Sequence, residues 1–416
     1  MNTTKISTGY EWLLRRTVLI LQAGLTALIW ISMPSAISSM HQPLYFVGIV
    51  ASIAIFSGAL IRFPLKIYLQ RVGNNYFQSM CLVFNGLALI VISISSSILF
   101  YSFGFIIFAV STSIFLLSVK VREYNGTRVL PLMEMFSVEL WGTVGVFAIL
   151  AIASLFSGPI TQLYSVLSIV AIVIGLFGFF SKKEDSVKSF MPSQKMPIRN
   201  YLRTPYVYLK AFDSVKDRKV AYLIVASNLG IFTSLAMTLP FLSSLGFVDT
   251  LTGRTVFLAF AFFSVYVFLI TQVPRKWIRP SLGKLFYFIR PILLLLPLLV
   301  FSMENVQLLF IAGFALFGIW MLLDLFSGGW FPVSLDETEK EHIWKIETVF
   351  RIPLSFLIPL LASYLWILSP RFVFAFALIP ISLSVIISFI FEDGVITGER
   401  YRSDKIQRDI KSVRAK

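Results

Sequence analysis

The chain has 416 residues, of which 57% are hydrophobic and only 14% are charged, against roughly 25% charged in an ordinary soluble domain. This balance excludes a soluble globular protein and predicts an all-α membrane protein whose helices cross the bilayer many times. The net charge of +15 would suit nucleic-acid binding only on a polar domain, which this sequence does not contain, so we expect no nucleic-acid partner.

The N-terminal region predicts a first transmembrane helix. Arg15 and Arg16 precede an apolar stretch at 17–37, which is longer than the apolar core of a signal peptide and lacks a clear cleavage site. We therefore expect this stretch to remain as a span. Cys81 is the single cysteine, which excludes an intrachain disulfide.

Twelve stretches are long and apolar enough to supply the roughly 20 helical residues that cross the hydrocarbon core. The predicted spans are 17–38, 44–64, 76–97, 99–119, 132–155, 162–180, 220–243, 253–273, 285–301, 306–326, 346–367 and 371–391. Because the longest connection is polar, basic and central, we expect two six-helix bundles joined by a linker. The predicted regions are an N-terminal half at 1–180, a cytoplasmic linker at 181–219, a C-terminal half at 220–391 and a cytoplasmic basic tail at 392–416.

The distribution of basic residues predicts the orientation. Of the 36 Lys and Arg residues, only Arg254 and Arg371 fall at the predicted outer turns. Because Lys and Arg accumulate on cytoplasmic loops, both termini are expected inside, and the protein is expected to be a multi-pass component of the cell membrane.

This layout resembles the major facilitator superfamily of secondary transporters. Its signature between the second and third spans contains an acid, an arginine and glycines, and here Arg71 and Gly73 fit while Gln70 stands in place of the acid. The resemblance implies that Gln70, Arg71 and Gly73 form a cytoplasmic gate turn, with a neutral amide where a charged latch is usual. A plain tight turn made by Gly73 would explain the same residues.

Ionisable side chains inside spans are costly and are therefore functional candidates. Glu139 lies about 11 residues beyond Arg128, which at ~1.5 Å per residue puts it roughly 16 Å along the helix and predicts a position near mid-membrane. Glu347 and Arg351 are one helical turn apart and can pair, while Asp324 lies near an inner helix end. These four are candidates for proton coupling or for charge pairs, and structural hydrogen bonding is the alternative.

The resemblance also implies that the first and fourth helices of each half line a central cavity. Polar and aromatic residues of those spans are the substrate-cavity candidates: Gln22, Thr26, Trp30, Asn228, Thr238 and Trp320. They either contact the solute or tie helices together. Because they are neutral, a moderately hydrophobic or zwitterionic solute is favoured over a polyanion.

The function implied by the resemblance is secondary active transport of a small solute by alternating access, with protons, another ion or no coupling partner. No cofactor or metal is expected, since His41 and His342 are the only histidines and both fall in predicted loops. Two other functions remain open: a lipid or oligosaccharide flippase of another twelve-span family, and a membrane-embedded enzyme. A transporter-like scaffold or sensor that moves nothing is a further alternative.

Overall fold

The computed structural model of the chain describes residues 3–43, 45–71, 74–125, 132–156 and 158–179, together with scattered positions at 254–265 and 353–379. Across these residues the regular secondary structure is entirely helical. The expectation of an all-α protein is therefore confirmed for the part of the chain that is described, and the predicted linker and tail lie outside it.

Six helices occupy the first 180 residues at the positions of the first six predicted spans. They are α1 Thr3–Ser39, α2 Tyr45–Arg71, α3 Asn74–Ile94, α4 Ile98–Asn125, α5 Leu132–Leu155 and α6 Ile160–Phe179. The helices α1, α2 and α4 extend beyond the predicted spans at the predicted cytoplasmic side. Apolar composition marks only the part of a helix that crosses hydrocarbon, whereas its backbone hydrogen bonds can continue into the polar region beyond.

Four of these helices contain stretches that are long and apolar enough to cross a membrane. The stretches, found among the described residues, are Leu13–Met33, Phe77–Ile94, Ile98–Leu116 and Ile160–Gly178. The surface of α6 indicates a lipid environment. An apolar stripe at helical spacing is exposed there, including Val166, Ile169 and Phe177. Such a stripe is stable against lipid rather than water. The chain is a multi-pass membrane protein.

Small residues allow the helices to approach one another closely, as is usual where lipid removes the hydrophobic drive for helix association. The most extensive contacts join α3 to α6, α2 to α4, α3 to α4 and α1 to α5. At the last of these crossings, a Cβ atom on Gly145 of α5 would collide with the backbone of Ile20 on α1. Gly86 of α3 similarly faces the backbone carbonyl of Ser168 on α6.

The end of α1 is closed by a residue in the left-handed conformation. His41 has a φ of 56°, and its backbone N–H donates to Ser38 O at 2.9 Å, while Gln42 N–H reaches back to Ile37 O at 3.4 Å. This is the hydrogen-bond pattern of a Schellman cap, whose left-handed position usually holds glycine. The cap turns the chain towards α2.

Two short segments from later in the chain belong to the same compact unit as the six helices. The helix Phe356–Leu365 lies within the predicted eleventh span, and its Phe356 ring contacts Phe56 of α2, with centroids 5.4 Å apart. Gly48 of α2 meets Ser363. Helical residues at 257–265 fall within the predicted eighth span, and Phe262 there contacts Phe147 of α5 at 5.8 Å. The predicted boundaries of the two halves remain predictions.

Candidate solute site

A buried cluster of neutral polar side chains joins three helices. Asn85 of α3 donates from Nδ2 to Oε1 of Gln22 on α1 at 2.7 Å, and Gln22 donates from Nε2 to Oγ1 of Thr112 on α4 at 3.1 Å. All three are buried: Gln22 is 2% exposed and Asn85 is 0% exposed. We call Gln22, Asn85 and Thr112 the central cluster.

The central cluster lies deep in the membrane-crossing part of the bundle. Gln22 is near the middle of the apolar stretch Leu13–Met33, and Asn85 is near the middle of Phe77–Ile94. Without water at this depth, polar side chains must find partners inside the protein. The pairing explains why an amide is tolerated at the centre of these helices. Asn85 Oδ1 has no hydrogen-bond partner among the described residues.

Two further residues of α1 extend from the central cluster along the same helix face. Thr26 donates its hydroxyl to the backbone carbonyl of Gln22 at 2.7 Å, and Trp30 lies one turn beyond it. Both are partly exposed, whereas Gln22 is not. The Trp30 ring meets Phe105 of α4 edge-on, with centroids 5.0 Å apart. In the predicted stripe Gln22, Thr26 and Trp30, the buried Gln22 side chain links helices by hydrogen bonds. Thr26 and Trp30 are partly exposed, so a solute can contact them.

The sequence interpretation did not include Asn85 and Thr112, although they complete the cluster. A signal was present, because an asparagine at the centre of an apolar span is costly unless it is paired. The predicted cavity drew only on the first and fourth helices of each half, and this excluded Asn85 of α3 but not Thr112 of α4. Which amide meets which hydroxyl depends on how three helices pack, and helical periodicity alone does not give this.

The depth of Glu139 follows from the register between α5 and α1. The Arg16 guanidinium carbon lies 5.5 Å from the centroid of the Trp141 ring, and Gly145 packs against Ile20. In both pairs the residue numbers differ by 125, so the helices run parallel with a constant offset. The same offset puts Glu139 level with Leu14.

By this register Glu139 is level with the beginning of the apolar stretch Leu13–Met33, whereas the sequence predicts a position near mid-membrane. The prediction counted helical rise from Arg128 along α5 alone. Depth is set instead by how α5 is placed against its neighbours. Trp141, two residues further along α5, is a residue type typical of the membrane interface, which agrees with this level.

The remaining predicted candidates are not brought into a site by the described residues. Gln70 and Arg71 are the last two residues of α2, so they are helical, and Gly73 lies outside the described residues. Six further candidates also lie outside them: Asn228, Thr238, Trp320, Asp324, Glu347 and Arg351.

The chemistry of the central region is neutral hydrogen bonding beside aromatic surface. Its donors and acceptors are amides and hydroxyls, and Trp30 supplies a ring face. The described residues contain no group of three or more His, Cys, Asp or Glu residues that could hold a metal ion. The arrangement can bind an uncharged polar group and can stack on a ring.

Comparison with known proteins gives structural matches and no sequence match. Neither a protein-family model nor a curated protein matches the sequence, whereas 223 chains of solved structures match the fold. The crystal structure of the nucleoside transporter NupG has a TM-score of 0.66 at 12% identity, covering 92% of this chain and 98% of that chain.

Two other solved transporters are similar. A bacterial homologue of the human lysosomal transporter Spinster, in an inward-facing and unoccupied conformation, has a TM-score of 0.57 at 11% identity, over 95% of this chain and 97% of that one. The human organic anion transporter MFSD10 has a TM-score of 0.59 at 14% identity, over 89% and 99%. At these identities the likeness establishes the fold alone. The fold that the sequence resemblance implies is therefore the fold of these solved transporters.

Proposed function

We propose that this protein is a secondary transporter that carries a small, uncharged or zwitterionic solute across the cell membrane by alternating access. The observation that carries the proposal is the central cluster, a set of hydrogen-bonded neutral polar groups deep within the helices of a transporter-type fold. The half-exposed Thr26 and Trp30 beside it supply a hydroxyl and a ring face. These groups suit a solute with a ring and polar substituents better than one with several charges.

The proposed mechanism uses two six-helix halves that expose the solute site to each side in turn. The contact between Gly48 near the beginning of α2 and Ser363 of the 356–365 helix is consistent with a closed state near the end of the bundle where α1 terminates. Small residues such as Gly48 allow close approach there, and a contact made mainly by van der Waals packing can separate without leaving charges buried. The twelve-helix count and both termini being cytoplasmic are part of this proposal.

Coupling to protons is the most specific extension of the proposal. Glu139 is at the level of Leu14 along the bundle, towards the predicted cytoplasmic side, and we propose that water from that side reaches it. A carboxylate there would take up or release a proton at the inner mouth, while the solute is held beside the central cluster, at Thr26 and Trp30. This differs from a proton carrier that shares the solute site.

The test is flux across proteoliposomes of purified protein, with uridine, p-aminohippurate and glycine betaine as probes and with or without an imposed pH gradient. We expect the uncharged uridine or the zwitterionic betaine to be carried and the anion to be excluded. If Glu139 couples protons, Glu139→Gln removes the response to the gradient and leaves exchange of solute down its own gradient.

Two results would contradict parts of the proposal. Transport of p-aminohippurate alone would overturn the preference for neutral solutes. No flux for any probe, with movement of a fluorescent phospholipid between leaflets instead, would favour a flippase over a solute transporter. An enzyme or a scaffold predicts neither kind of movement.

A further inference from the structure

A cavity of about 410 Å³ lies among four helix ends of the bundle, where α1 and α3 terminate and α4 and α6 begin. We call it the end cavity. Its polar lining residues include Ser39, His41, Ser96, Tyr101, Thr161 and Tyr164. This volume is within the range of roughly 300–1,000 Å³ that is typical of small-molecule sites.

The cavity exists because the connections at this end are short and their side chains small. The left-handed turn at His41 ends α1, and α3 and α4 are joined only by Ser95, Ser96 and Ser97. Three serines cannot fill the space between helices of ordinary interaxial separation. Apolar walls come from Met40, Ile92 and Ile160.

Two of the buried lining residues are tyrosines, Tyr101 and Tyr164, and their hydroxyl groups differ in their hydrogen bonding. The hydroxyl of Tyr164 hydrogen-bonds with Ser32. The hydroxyl of Tyr101 is buried with no partner among the described residues, and Tyr101 is only 1% exposed. A buried phenol hydroxyl without a partner is costly, so an acceptor placed beside Tyr101 would recover free energy that an acceptor beside Tyr164 would not.

The opposite part of the lining faces outward. Ser39, His41, Ser96 and Thr161 are exposed, which gives the end cavity a mouth and a buried floor. None of the residues that line it is Asp, Glu, Lys or Arg. An ion would therefore enter without a compensating charge, and an uncharged molecule with an apolar body is favoured.

Aromatic contacts connect the floor of the end cavity to the region of the central cluster. The Tyr101 ring stacks on Phe105, with centroids 6.3 Å apart, and Phe105 meets Trp30. Trp30 is one helical turn from Thr26. An occupant of the end cavity would thus contact a packed row of side chains that ends beside the proposed solute site.

We propose that the end cavity is a second binding site, for a small uncharged molecule with a ring or other apolar body and a carbonyl or ether oxygen that accepts a hydrogen bond from Tyr101. The site is separate from the central cluster. Its occupancy does not depend on transport, so failure of one proposal does not imply failure of the other.

The probe that tests this is benzophenone, which combines two rings with one carbonyl acceptor and attaches covalently to nearby C–H groups on irradiation. The full-length protein in detergent is irradiated over a range of benzophenone concentrations, and adducts are mapped by mass spectrometry. We expect saturable labelling of Met40 or Ile160. Tyr101→Phe removes only the hydroxyl and should raise the half-saturating concentration about 2- to 10-fold, as expected for loss of one hydrogen bond.

Tyr164→Phe is the matched control, because the hydroxyl that it removes is already bonded to Ser32 and the half-saturating concentration should not change. Thr161→Trp should abolish saturable labelling by filling the mouth, and Ser96→Trp serves the same purpose if the first variant does not fold. Folding is checked by size exclusion and thermal unfolding.

Labelling of Met40 that rises linearly with benzophenone, as expected for adventitious contact with the apolar surface, would overturn the proposal. Equal affinity of the wild-type protein, Tyr101→Phe and a folded mouth variant would also overturn it. If uridine is transported and competes with saturable labelling, the end cavity lies on the solute path. If it does not compete, the occupant is a separate small molecule.

Discussion

Asn85 on α3 donates a 2.7 Å hydrogen bond to Gln22 on α1, and this contact joins two helices at the middle of their apolar stretches. Gln22 in turn donates a hydrogen bond to Thr112 on α4. A single glutamine side chain thereby fixes the relative position of three helices. An amide suits this role because it is both donor and acceptor and carries no charge.

The central cluster should show strong coupling between Gln22 and Asn85. Gln22→Leu leaves the Asn85 amide buried without its acceptor, so we expect the free energy of unfolding to fall by about 1–3 kcal/mol. The double variant Gln22→Leu/Asn85→Leu removes both partners and should be less destabilised than the sum of the single changes, with a coupling of about 0.5–2 kcal/mol. Denaturant unfolding in mixed micelles measures this.

Ser93→Ala is a suitable control for that cycle. Its hydroxyl donates only to Ile90 O of the same helix, so its effect should be small and additive with Gln22→Leu. Strict additivity between the Gln22 and Asn85 variants would contradict the importance of their hydrogen bond.

The crossing of α1 and α5 should distinguish two nearby glycines. A Cβ atom on Gly145 would collide with the backbone of Ile20, whereas one on Gly142 would meet, among the described residues, only the Ala23 Cβ at 3.9 Å. Gly145→Ala should therefore destabilise the fold by about 1–3 kcal/mol, the usual cost of overpacking. Gly142→Ala should be neutral, or stabilising by up to about 1 kcal/mol through helix propensity. Equal thermal stability of the two variants would show that the helices do not approach in this way.

The left-handed conformation of His41 at the end of α1 predicts how substitutions there change stability. Glycine adopts a positive φ without steric cost, so His41→Gly should leave stability unchanged or raise it by up to about 1 kcal/mol. His41→Val places a β-branched side chain in the left-handed region and should lower stability by about 1–2 kcal/mol. Thermal unfolding of the two variants compares them directly, and a more stable valine variant would be incompatible with the cap.

The contact between α2 and the 356–365 helix can be locked chemically. In a Cys81→Ser background, Gly48→Cys with Ser363→Cys should form a disulfide on oxidation. A Cβ atom on Gly48 would lie 2.5 Å from the Ser363 Cβ, and a disulfide requires Cβ atoms about 3.5–4.5 Å apart, so the bond forms when the two helices move slightly apart. If these helices separate during transport, oxidation should stop uptake of the carried probe and a reductant should restore it.

The matched control for cross-linking lies inside the bundle. Ser79 and Gly178 meet where α3 packs on α6, and a Cβ atom on Gly178 would lie 2.7 Å from the Ser79 Cβ. Ser79→Cys with Gly178→Cys should therefore also cross-link after a similar small separation, but without loss of uptake. Loss of uptake in both pairs would indicate general damage. Full uptake in a fully cross-linked Gly48/Ser363 pair would rule out separation of α2 from the 356–365 helix as a transport step.

The amino-acid sequence determined where the first six helices lie along the chain. A fixed hydrocarbon thickness demands apolar runs of about 20 residues, and such runs can be identified without knowledge of their neighbours. The same reasoning predicted that polar residues of α1 such as Gln22 would face the protein interior, since lipid offers them no partner. The helix extensions at the inner ends were missed because no apolar signal accompanies them.

Only the tertiary structure decided which residues meet and how deep each one lies. Asn85 belongs to the central cluster because α3 packs next to α1, and Glu139 is level with Leu14 because of the offset between α5 and α1. The end cavity beside Tyr101 likewise arises from the separation of four helix ends. Helical periodicity fixes the direction of a side chain around its own axis, whereas depth, pairing and cavities depend on the rotation and translation of one helix relative to another.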